Sequence, residues 1–425
     1  MKIALITNDF LPKKGGITNV IVNVGRKLTE LGEKVFIFNR TCENKENLYI
    51  KVLSNAKSLR GILTYHIKFF YFLFCLFFRI MFLFNGIKFR DKLKLTLFYC
   101  LYPKLIVSRI ISIKNLVFLF KSQKFNIILS GAADISLLYS FILSKWFDIP
   151  LVTIAHGDDF LRRYPYKINE FIFQNIQRVV VTNKFMRRLF LKVHNINPNN
   201  LKVIHLGVNI EDSIVKESII DLREKFNIHP NDFIILTVSR FYPRKGFDTI
   251  LKSIKLIIDE NLNIPIQYII IGSGEDENRI KKIISDLNIK SCVKLLGSVD
   301  EKLKNQYYKL SDVFVLVPEV KRNSIEGFGI VYIEANFFKL PVIGARSGGV
   351  RIAIEDGKNG YLIETNDIRS LKEKIIFLYN NKQLRKDLGQ YGHERVIDLF
   401  NWTKNALIYR VVLTNAIKEF NSIIK

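Results

Sequence analysis

The sequence predicts an α/β protein of two domains, each built on a parallel sheet. Its 425 residues are enough for two domains of roughly 200 residues, each with its own core. Short β-branched apolar runs alternate with amphipathic helical patterns through both halves, which is typical of parallel sheets flanked by helices. Gly207, the predicted strand 202–205 before it and the polar run after residue 209 predict the boundary, with residues 1–206 in the first domain and 207–400 in the second.

The N-terminal elements place a glycine pair between a strand and a helix. Residues 2–7 predict a first strand, and residues 17–31 predict an amphipathic helix. Gly15 and Gly16 lie directly before that helix, where a missing Cβ lets the backbone approach a phosphate or a sugar. Both glycines are therefore candidate substrate contacts.

The most uneven charge of the chain lies in residues 51–130. These residues hold fourteen Lys or Arg and one acid, and so account for half of the net charge of +26. They include the apolar, aromatic block 69–78, which is too short for a membrane span and is bounded by Lys68 and Arg79. We predict a basic aromatic insertion at about 57–124 that inserts into an anionic membrane surface without crossing it.

Other interpretations of this segment have less support. A hydrophobic core helix is the main alternative. We expect no nucleic acid as a partner, because the aromatic residues form one dense block and no nucleic-acid-binding motif appears. The first ten residues predict a strand and not a signal peptide. This favours a cytoplasmic protein, held peripherally on the inner face of the cell membrane.

Neither a metal site nor a disulfide framework is indicated. The four cysteines, Cys42, Cys75, Cys100 and Cys292, lack the paired spacing of zinc ligands. No Asp-x-Asp motif follows a predicted strand.

A histidine ends one buried strand of the first half. His156 follows the apolar run 150–155, which places it at the carboxyl end of a parallel strand, where ligands bind in open sheets. Asp159 lies three residues further on and is a weaker candidate, either for a helix cap or for a ligand contact.

In the second half, a basic pair lies in a strand-to-helix loop. Arg240 and Lys245 follow the predicted strand 233–238, and an amphipathic helix begins at about 248. A planar guanidinium and a compact ammonium at this position are well placed to neutralise a diphosphate. The glycine turn at Gly272 and Gly274 lacks the third glycine of a dinucleotide fingerprint, so no dinucleotide cofactor is indicated.

The most informative feature is a pair of carboxylates, Glu326 and Glu334, eight residues apart. A buried strand is predicted at 313–317 and a helix at 328–338. The glycines between the two acids fall where the loop enters the helix. There, a close backbone and the positive end of the helix dipole favour a phosphate.

Together these motifs resemble those of the retaining nucleotide-sugar glycosyltransferases of family 4, over nearly the whole chain. The resemblance implies the GT-B fold: two Rossmann-like domains facing a cleft, with a last helix at 401–425 crossing back to the first domain. It also implies transfer of a sugar from a UDP- or GDP-sugar to an acceptor hydroxyl with retained configuration. No cofactor, metal or protein nucleophile is then expected.

The resemblance gives individual residues their roles. Glu326 would contact hydroxyls of the donor sugar, Glu334 the nucleotide ribose, Arg240 and Lys245 the diphosphate, and His156 the sugar near the reaction centre. The remaining predicted substrate contacts are Gly15, Gly16, Asp159, Gly272, Gly274, Gly297, Val299, Gly327, Phe328, Gly329 and Ile330. Two segments depart from the family pattern. Arg351 and Ile352 replace a proline and an acid, and Thr18 and Asn19 stand where the first loop of the family usually has an acid.

The predicted acceptor is a lipid-linked glycan, as in bacterial surface polysaccharide or lipopolysaccharide assembly, because of the membrane-contacting segment. Two other classes stay open. A GT-B relative such as a nucleotide-sugar epimerase would need catalytic acids beyond Glu326. A non-catalytic, membrane-associated glycan-binding protein would tolerate the loss of Arg240, Lys245 or Glu334, yet all three are present.

Overall fold

The computed structural model describes residues 1–8, 16–39, 120–161, 168–260, 262–320 and 325–424. The chain separates into two compact units. The first comprises Met1–Val181, Leu189–Lys202 and Ala406–Lys425, and the second comprises Thr182–Arg188 and Val203–Asn405. Most of the insertion predicted at 57–124 lies outside the described residues.

The first unit is built on a six-stranded sheet with the order β2-β1-β3-β4-β5-β6. Neighbouring strands from β2 to β5 pair in parallel. Every residue of β3 and β4 is buried, which explains why both strands are apolar except for Ser130 and Thr153. The strands are β1 Lys2–Thr7, β2 Lys34–Asn39, β3 Ile127–Ser130, β4 Leu151–Ala155, β5 Arg178–Val181 and β6 Leu201–Val203.

Helices flank this sheet, and the first of them confirms the predicted N-terminal helix. Asp134 caps one helix by accepting a hydrogen bond from the backbone N–H of Ser136 at 2.8 Å. The helices are Gly16–Glu30, Ile135–Phe147, Asp158–Leu161, Ile168–Gln174, Lys184–Val193 and Trp402–Ile424. The last belongs to the first unit from Ala406 onward, and Arg178 donates to Glu419 on it. Its predicted crossing from the second domain stays a prediction.

The second unit has a wholly parallel six-stranded sheet with the order β12-β11-β10-β7-β8-β9. The chain runs outward from β7 to β9 and then returns to β10, beside β7. The strand order therefore reverses between β7 and β10, and in such sheets ligands bind at the carboxyl ends of the strands at this switch point. The strands are β7 Phe233–Val238, β8 Ile266–Ile271, β9 Val293–Gly297, β10 Val313–Leu316, β11 Val342–Ala345 and β12 Gly360–Ile363.

The helices of the second unit complete an α/β fold and confirm the predicted fold class for both halves. The helix predicted at 328–338 begins two residues later, because Gly329 has a φ of +81°, outside the helical range. The helices are Ile219–Lys225, Phe247–Asp259, Glu277–Asp286, Glu301–Leu310, Ile330–Phe337, Val350–Ala353, Ile368–Asn380 and Lys382–Leu399. Within the described parts of the chain, no helix has the length and apolar character that a membrane crossing requires.

Candidate active site

The centre of the candidate site is the Glu326 carboxylate, which pairs with two neighbouring cations. Arg244 Nη1 donates to Glu326 Oε2 at 2.9 Å, and Lys245 Nζ donates to the same oxygen at 2.6 Å. Only 19% of the Arg244 side chain and 13% of each of the other two are exposed. Two positive charges thus surround one negative charge, which leaves the cluster positive.

These neighbours keep Glu326 ionised. Burial alone would raise its pKa, because a carboxylate loses solvation when it is removed from water. The charges and hydrogen bonds of Lys245 and Arg244 outweigh burial and lower the pKa of Glu326 from 4.5 to about 2. Near neutral pH this side chain is therefore a hydrogen-bond acceptor and not a general acid.

Backbone contacts hold the two cations in place. They end the short 3-10 helix Pro243–Lys245, which Gly246 follows with a φ of +76°. A Cβ at Gly246 would lie 2.1 Å from the carbonyl oxygen of Val317, an overlap that only glycine avoids. The backbone N–H of Glu319 also donates to the carbonyl of Arg244 at 2.8 Å. The loop after β7 is thereby tied to the segment after β10, at the switch point.

The two residues of the predicted basic pair have different surroundings. Arg240 is exposed just after β7, whereas Lys245 is enclosed beside Glu326. The cation next to Lys245 is Arg244, which the sequence analysis did not single out. The sequence feature that could have indicated Arg244 is its position directly before Lys245 in the same turn. Adjacent basic residues are common in a chain with 65 Lys and Arg, so this feature alone is not distinctive.

The residues after Glu326 lead into the helix Ile330–Phe337. Phe328, a predicted substrate contact, is 3% exposed and packs against Phe400 with ring centroids 5.3 Å apart. Its side chain belongs to the core, so only its backbone is left for a ligand. Gly329 forms the helix N-cap in the left-handed conformation, and a Cβ there would overlap the ring of Tyr332.

A second glycine pair, Gly348 and Gly349, packs against the Glu326 segment. The backbone N–H of Gly349 donates to the Glu326 carbonyl at 2.8 Å. A Cβ at Gly349 would lie 1.9 Å from the carbonyl oxygen of Gly327, and one at Gly348 would lie 2.4 Å from that of Glu326. Backbone packing therefore accounts for this pair. Arg351, which departs from the family pattern, is exposed on the short helix that follows.

Glu334 has a different set of partners. Tyr308 Oη donates to Glu334 Oε2 at 3.0 Å, and Lys304 Nζ lies 3.4 and 3.5 Å from the two carboxylate oxygens. Burial would lower the pKa of Lys304, but Glu334 and Glu301 outweigh burial and raise it. Burial and the adjacent Glu334 raise the pKa of Tyr308 well above its usual value, so the hydroxyl keeps its proton and donates.

The loops after β7, β8 and β9 are joined by backbone hydrogen bonds. Phe241 N–H donates to the Ser273 carbonyl at 2.9 Å, and Gly272 N–H donates to the Gly297 carbonyl at 2.8 Å. A Cβ at Gly272 or Gly274 would lie 1.8 or 2.4 Å from carbonyl oxygens of the β7 loop. These two glycines permit the close approach of the loops, which is a structural reason for them beside the predicted ligand contact.

The other predicted contacts of the second unit lie at loop ends. Val299 follows β9 by two residues, Ile330 begins its helix, and both are partly exposed. Near Val299, the hydroxyls of Ser273 and Ser298 lie 2.7 Å apart on exposed loop surface. The carboxyl ends of β8 and β9 therefore present polar groups to solvent.

The first unit carries His156 at the carboxyl end of β4. Its Nε2 lies 2.8 Å from the Gly131 carbonyl oxygen. Because a carbonyl can only accept, Nε2 is the donor of this hydrogen bond. Asp159 accepts hydrogen bonds from the backbone N–H groups of His156, Gly157 and Ala133, the shortest at 2.7 Å. It anchors the backbone around His156.

Of the two glycines predicted as substrate contacts near the N-terminus, the structure describes Gly16. Gly16 begins its helix, is exposed, and has open space where a Cβ would lie. Gly15 lies outside the described residues, as does the aromatic block 69–78. Across the residues whose positions are described, no group of three or more His, Cys, Asp and Glu side chains is arranged to hold a metal ion.

Comparisons with known proteins match both halves of the chain to glycosyltransferases. The family model "Glycosyltransferase Family 4" matches residues 14–212, and the model "Glycosyl transferases group 1" matches residues 218–395. An uncharacterized glycosyltransferase of Methanocaldococcus jannaschii is 27% identical over 422 residues, which is 97% of each chain.

Two further similar proteins are known with a stated substrate or a bound ligand. The Escherichia coli UDP-Gal:alpha-D-GlcNAc-diphosphoundecaprenol alpha-1,3-galactosyltransferase is 27% identical over 311 residues, 70% of this chain and 78% of that enzyme. The crystal structure of Anabaena HepE in complex with UDP and glucose matches with a TM-score of 0.68 and 16% identity, over 98% of this chain and 100% of that one. At this identity the structural match is a likeness of fold.

Proposed function

The chain belongs to the family 4 glycosyltransferases of the GT-B fold, and we propose that it transfers a hexose from a UDP-sugar to a lipid-linked glycan. The observation that carries the proposal is the cluster of Glu326, Arg244 and Lys245 at the switch point of the second sheet. A net positive cluster with an ionised acceptor suits a ligand that combines a diphosphate with sugar hydroxyls.

In the proposed reaction, the bond between the anomeric carbon and the diphosphate oxygen breaks. The acceptor oxygen bonds to that carbon from the same side, and its proton passes to the departing diphosphate oxygen. Configuration is then retained without a protein nucleophile. The products are a nucleoside diphosphate and the glycosylated acceptor.

The roles proposed for individual residues follow from charge and position. Lys245 and the exposed Arg240 stabilise the negative charge on the leaving diphosphate, while Glu326 accepts a hydrogen bond from the sugar. Glu334 holds the ribose, and His156 contacts the sugar. The proposal includes no metal and no cofactor besides the nucleotide sugar, because these cations and the N-terminus of the helix Ile330–Phe337 supply positive charge.

The proposed donor and acceptor classes rest on the comparisons and on charge. The E. coli relative is named for the donor UDP-Gal and a GlcNAc-diphosphoundecaprenol acceptor, and the Anabaena structure contains UDP. The basic aromatic segment of residues 51–130 suits an enzyme that works peripherally at the inner face of the cell membrane, on a lipid-linked intermediate of polysaccharide assembly.

A panel of UDP- and GDP-sugars tests the proposal. Purified wild-type protein, with EDTA present, is expected to bind one UDP-sugar and to release UDP slowly by transfer to water. Lys245→Ala should weaken binding at least about tenfold, because a charge-assisted contact to the diphosphate is lost. Calorimetry measures binding, and chromatography of the nucleotide measures release.

A matched variant and the product identify other outcomes. Lys382→Ala removes an exposed lysine at the start of another helix of the same unit and should leave binding unchanged. An altered sugar still attached to UDP, without release of the nucleotide, would favour an epimerase. Binding of glycans but of no nucleotide sugar would contradict the enzyme proposal and favour a glycan-binding protein.

A further inference from the structure

Arg244 is the one member of the central cluster to which the sequence motifs gave no role. Its Nη1 lies 2.9 Å from Glu326 Oε2, the oxygen that also accepts from Lys245. Its backbone is fixed by the Glu319 N–H and by the 3-10 helix that precedes Gly246. The backbone of Arg244 is therefore fixed by the loop, and its guanidinium is fixed by the hydrogen bond to Glu326.

The second cation changes what Lys245 can do. With Lys245 alone, one ammonium and one carboxylate would form a neutral pair, and the attraction of the ammonium for a diphosphate would be largely cancelled. With Arg244 present, the guanidinium also neutralises the carboxylate charge. Two positive charges then face one negative charge, so one positive charge of the cluster remains uncompensated. Both described hydrogen bonds also fall on Oε2, which leaves Oε1 as the oxygen to accept from a sugar hydroxyl.

We infer that Arg244 is a positioning residue, which orients the Glu326 carboxylate and leaves the charge of Lys245 to the diphosphate of a nucleotide sugar. The inference rests on the proposed function and deepens it. It assigns sugar recognition to Glu326 and diphosphate binding to Lys245. Arg244 acts through these two residues and not on the substrate itself.

Among the residues that the structure describes, the charged and titratable groups that face Glu326 come from two elements. Arg244 and Lys245 approach from the turn after β7, and Tyr332 lies on the helix that follows the Glu326 loop. Burial and the charge of Glu326 raise the pKa of Tyr332 well above its usual value, so this phenol stays neutral. The two cations are therefore the charges that hold the pKa of Glu326 below 4.5.

Arg244→Gln tests the inference through the titration of Glu326. Carbon-13 NMR of protein labelled at glutamate side-chain carboxyls would follow the titration, with the Glu326 resonance assigned by its absence in Glu326→Gln. Removal of one nearby opposite charge is expected to raise the pKa of Glu326 by at least about one unit. Arg244→Lys should restore the low value. Arg369→Gln, at an exposed position of another helix, should leave it unchanged.

Donor hydrolysis supplies a second readout. A carboxylate with a low pKa stays charged in acid, so Glu326 should cause no loss of rate in wild type as the pH falls to about 4.5. The rate of Arg244→Gln should fall as the pH approaches the raised pKa of Glu326, which gives its pH–rate profile an acid limb. The readout is the ratio of the two rates at each pH, because a loss that both proteins share comes from other groups. The double variant Arg244→Gln with Glu326→Gln should lack this acid limb. Circular dichroism at each pH restricts the comparison to folded protein.

The possible failures can be told apart. An unchanged Glu326 titration in Arg244→Gln overturns the inference alone, whatever the wild type binds. Failure of the wild type to bind any nucleotide sugar overturns the proposed function and, with it, this extension. A shifted titration together with a displaced acid limb, both rescued by Arg244→Lys, supports the inference.

Discussion

Glu326 and Glu334 belong to one motif, but their surroundings differ. Glu326 lies between two cations, which keep it ionised far below neutral pH. Glu334 receives the Tyr308 hydroxyl and lies near the ammonium of Lys304, which is itself shared with Glu301. Glu326 is thus surrounded by cations, which suit a bound anion. Glu334 has one neutral donor and one ammonium that it shares with Glu301, and these surroundings suit hydroxyl groups.

Glu334→Gln tests the proposed contact with the ribose. A hydrogen bond from a ribose hydroxyl to a carboxylate is worth roughly 1.5–3 kcal/mol. We expect the substitution to weaken UDP binding at least about tenfold and to have a much smaller effect on 2′-deoxy-UDP. Calorimetry with both nucleotides measures the difference.

The same measurement has a matched control. Glu373→Gln changes an exposed glutamate on the helix Ile368–Asn380 and should affect neither nucleotide. An equal loss for UDP and 2′-deoxy-UDP in Glu334→Gln would place the carboxylate away from the 2′-hydroxyl and argue for a structural role beside Tyr308.

At the scale of elements, glycines bring the loops of the second unit close together. Gly246, Gly272, Gly274 and Gly349 each lie where a Cβ would overlap a backbone carbonyl oxygen of a neighbouring loop. The loops after β7, β8, β10 and β11 therefore form one connected platform at the carboxyl edge of the sheet. The positions of the Arg244, Lys245 and Glu326 side chains depend on this platform.

Gly349→Ala should disturb the platform at Glu326. The new methyl would lie 1.9 Å from the Gly327 carbonyl oxygen, so the backbone must move. We expect destabilisation of about 1–3 kcal/mol, the usual cost of overpacking, together with weaker nucleotide binding. Thermal unfolding and calorimetry measure the two effects.

Ser347→Ala provides the control in the same loop. Ser347 is buried, and its hydroxyl has no hydrogen-bond partner among the described residues, so its removal should be neutral or slightly stabilising. If Gly349→Ala behaved like Ser347→Ala, the close backbone contact would not be what holds Glu326.

The sequence predicts some of these elements well because their signals are local. The strands β7 and β8 are apolar in nearly every residue, as strands buried on both sides must be. In contrast, Arg244 and Glu326 are 82 residues apart and meet only because β7 and β10 are neighbours. No local pattern shows that pairing, or that Phe328 turns into the core.

At the scale of the whole molecule, the two sheets share one organisation. Each sheet reverses its strand order beside its first strand, at β1 and β3 in the first unit and at β7 and β10 in the second. The predicted site residues His156 and Glu326 both lie after carboxyl ends of strands, where this topology places ligand sites. The sequence motifs located these edges correctly, because each motif includes the strand that precedes it.

The net charge of +26 leads to a prediction about membranes. The full-length protein should cosediment with phosphatidylglycerol vesicles at low salt, less in high salt, and little with phosphatidylcholine. Cations near an anionic surface contribute about 1 kcal/mol each, so four Lys→Gln changes in residues 51–130 should reduce vesicle affinity at least about tenfold. The four positions are Lys88, Lys92, Lys94 and Lys104.

A variant of equal net charge separates a local patch from overall charge. Its four Lys→Gln changes fall on exposed lysines of the second unit, at Lys282, Lys290, Lys302 and Lys382. If only the first variant loses vesicle binding, the basic aromatic segment is the contact, and a lipid-linked acceptor gains support. Equal losses would make the attraction a property of total charge, and binding that survives both sets at high salt would point to apolar insertion as the dominant contribution. No vesicle binding by the wild type would remove the membrane from the proposal and leave glycan transfer to be tested with soluble acceptors.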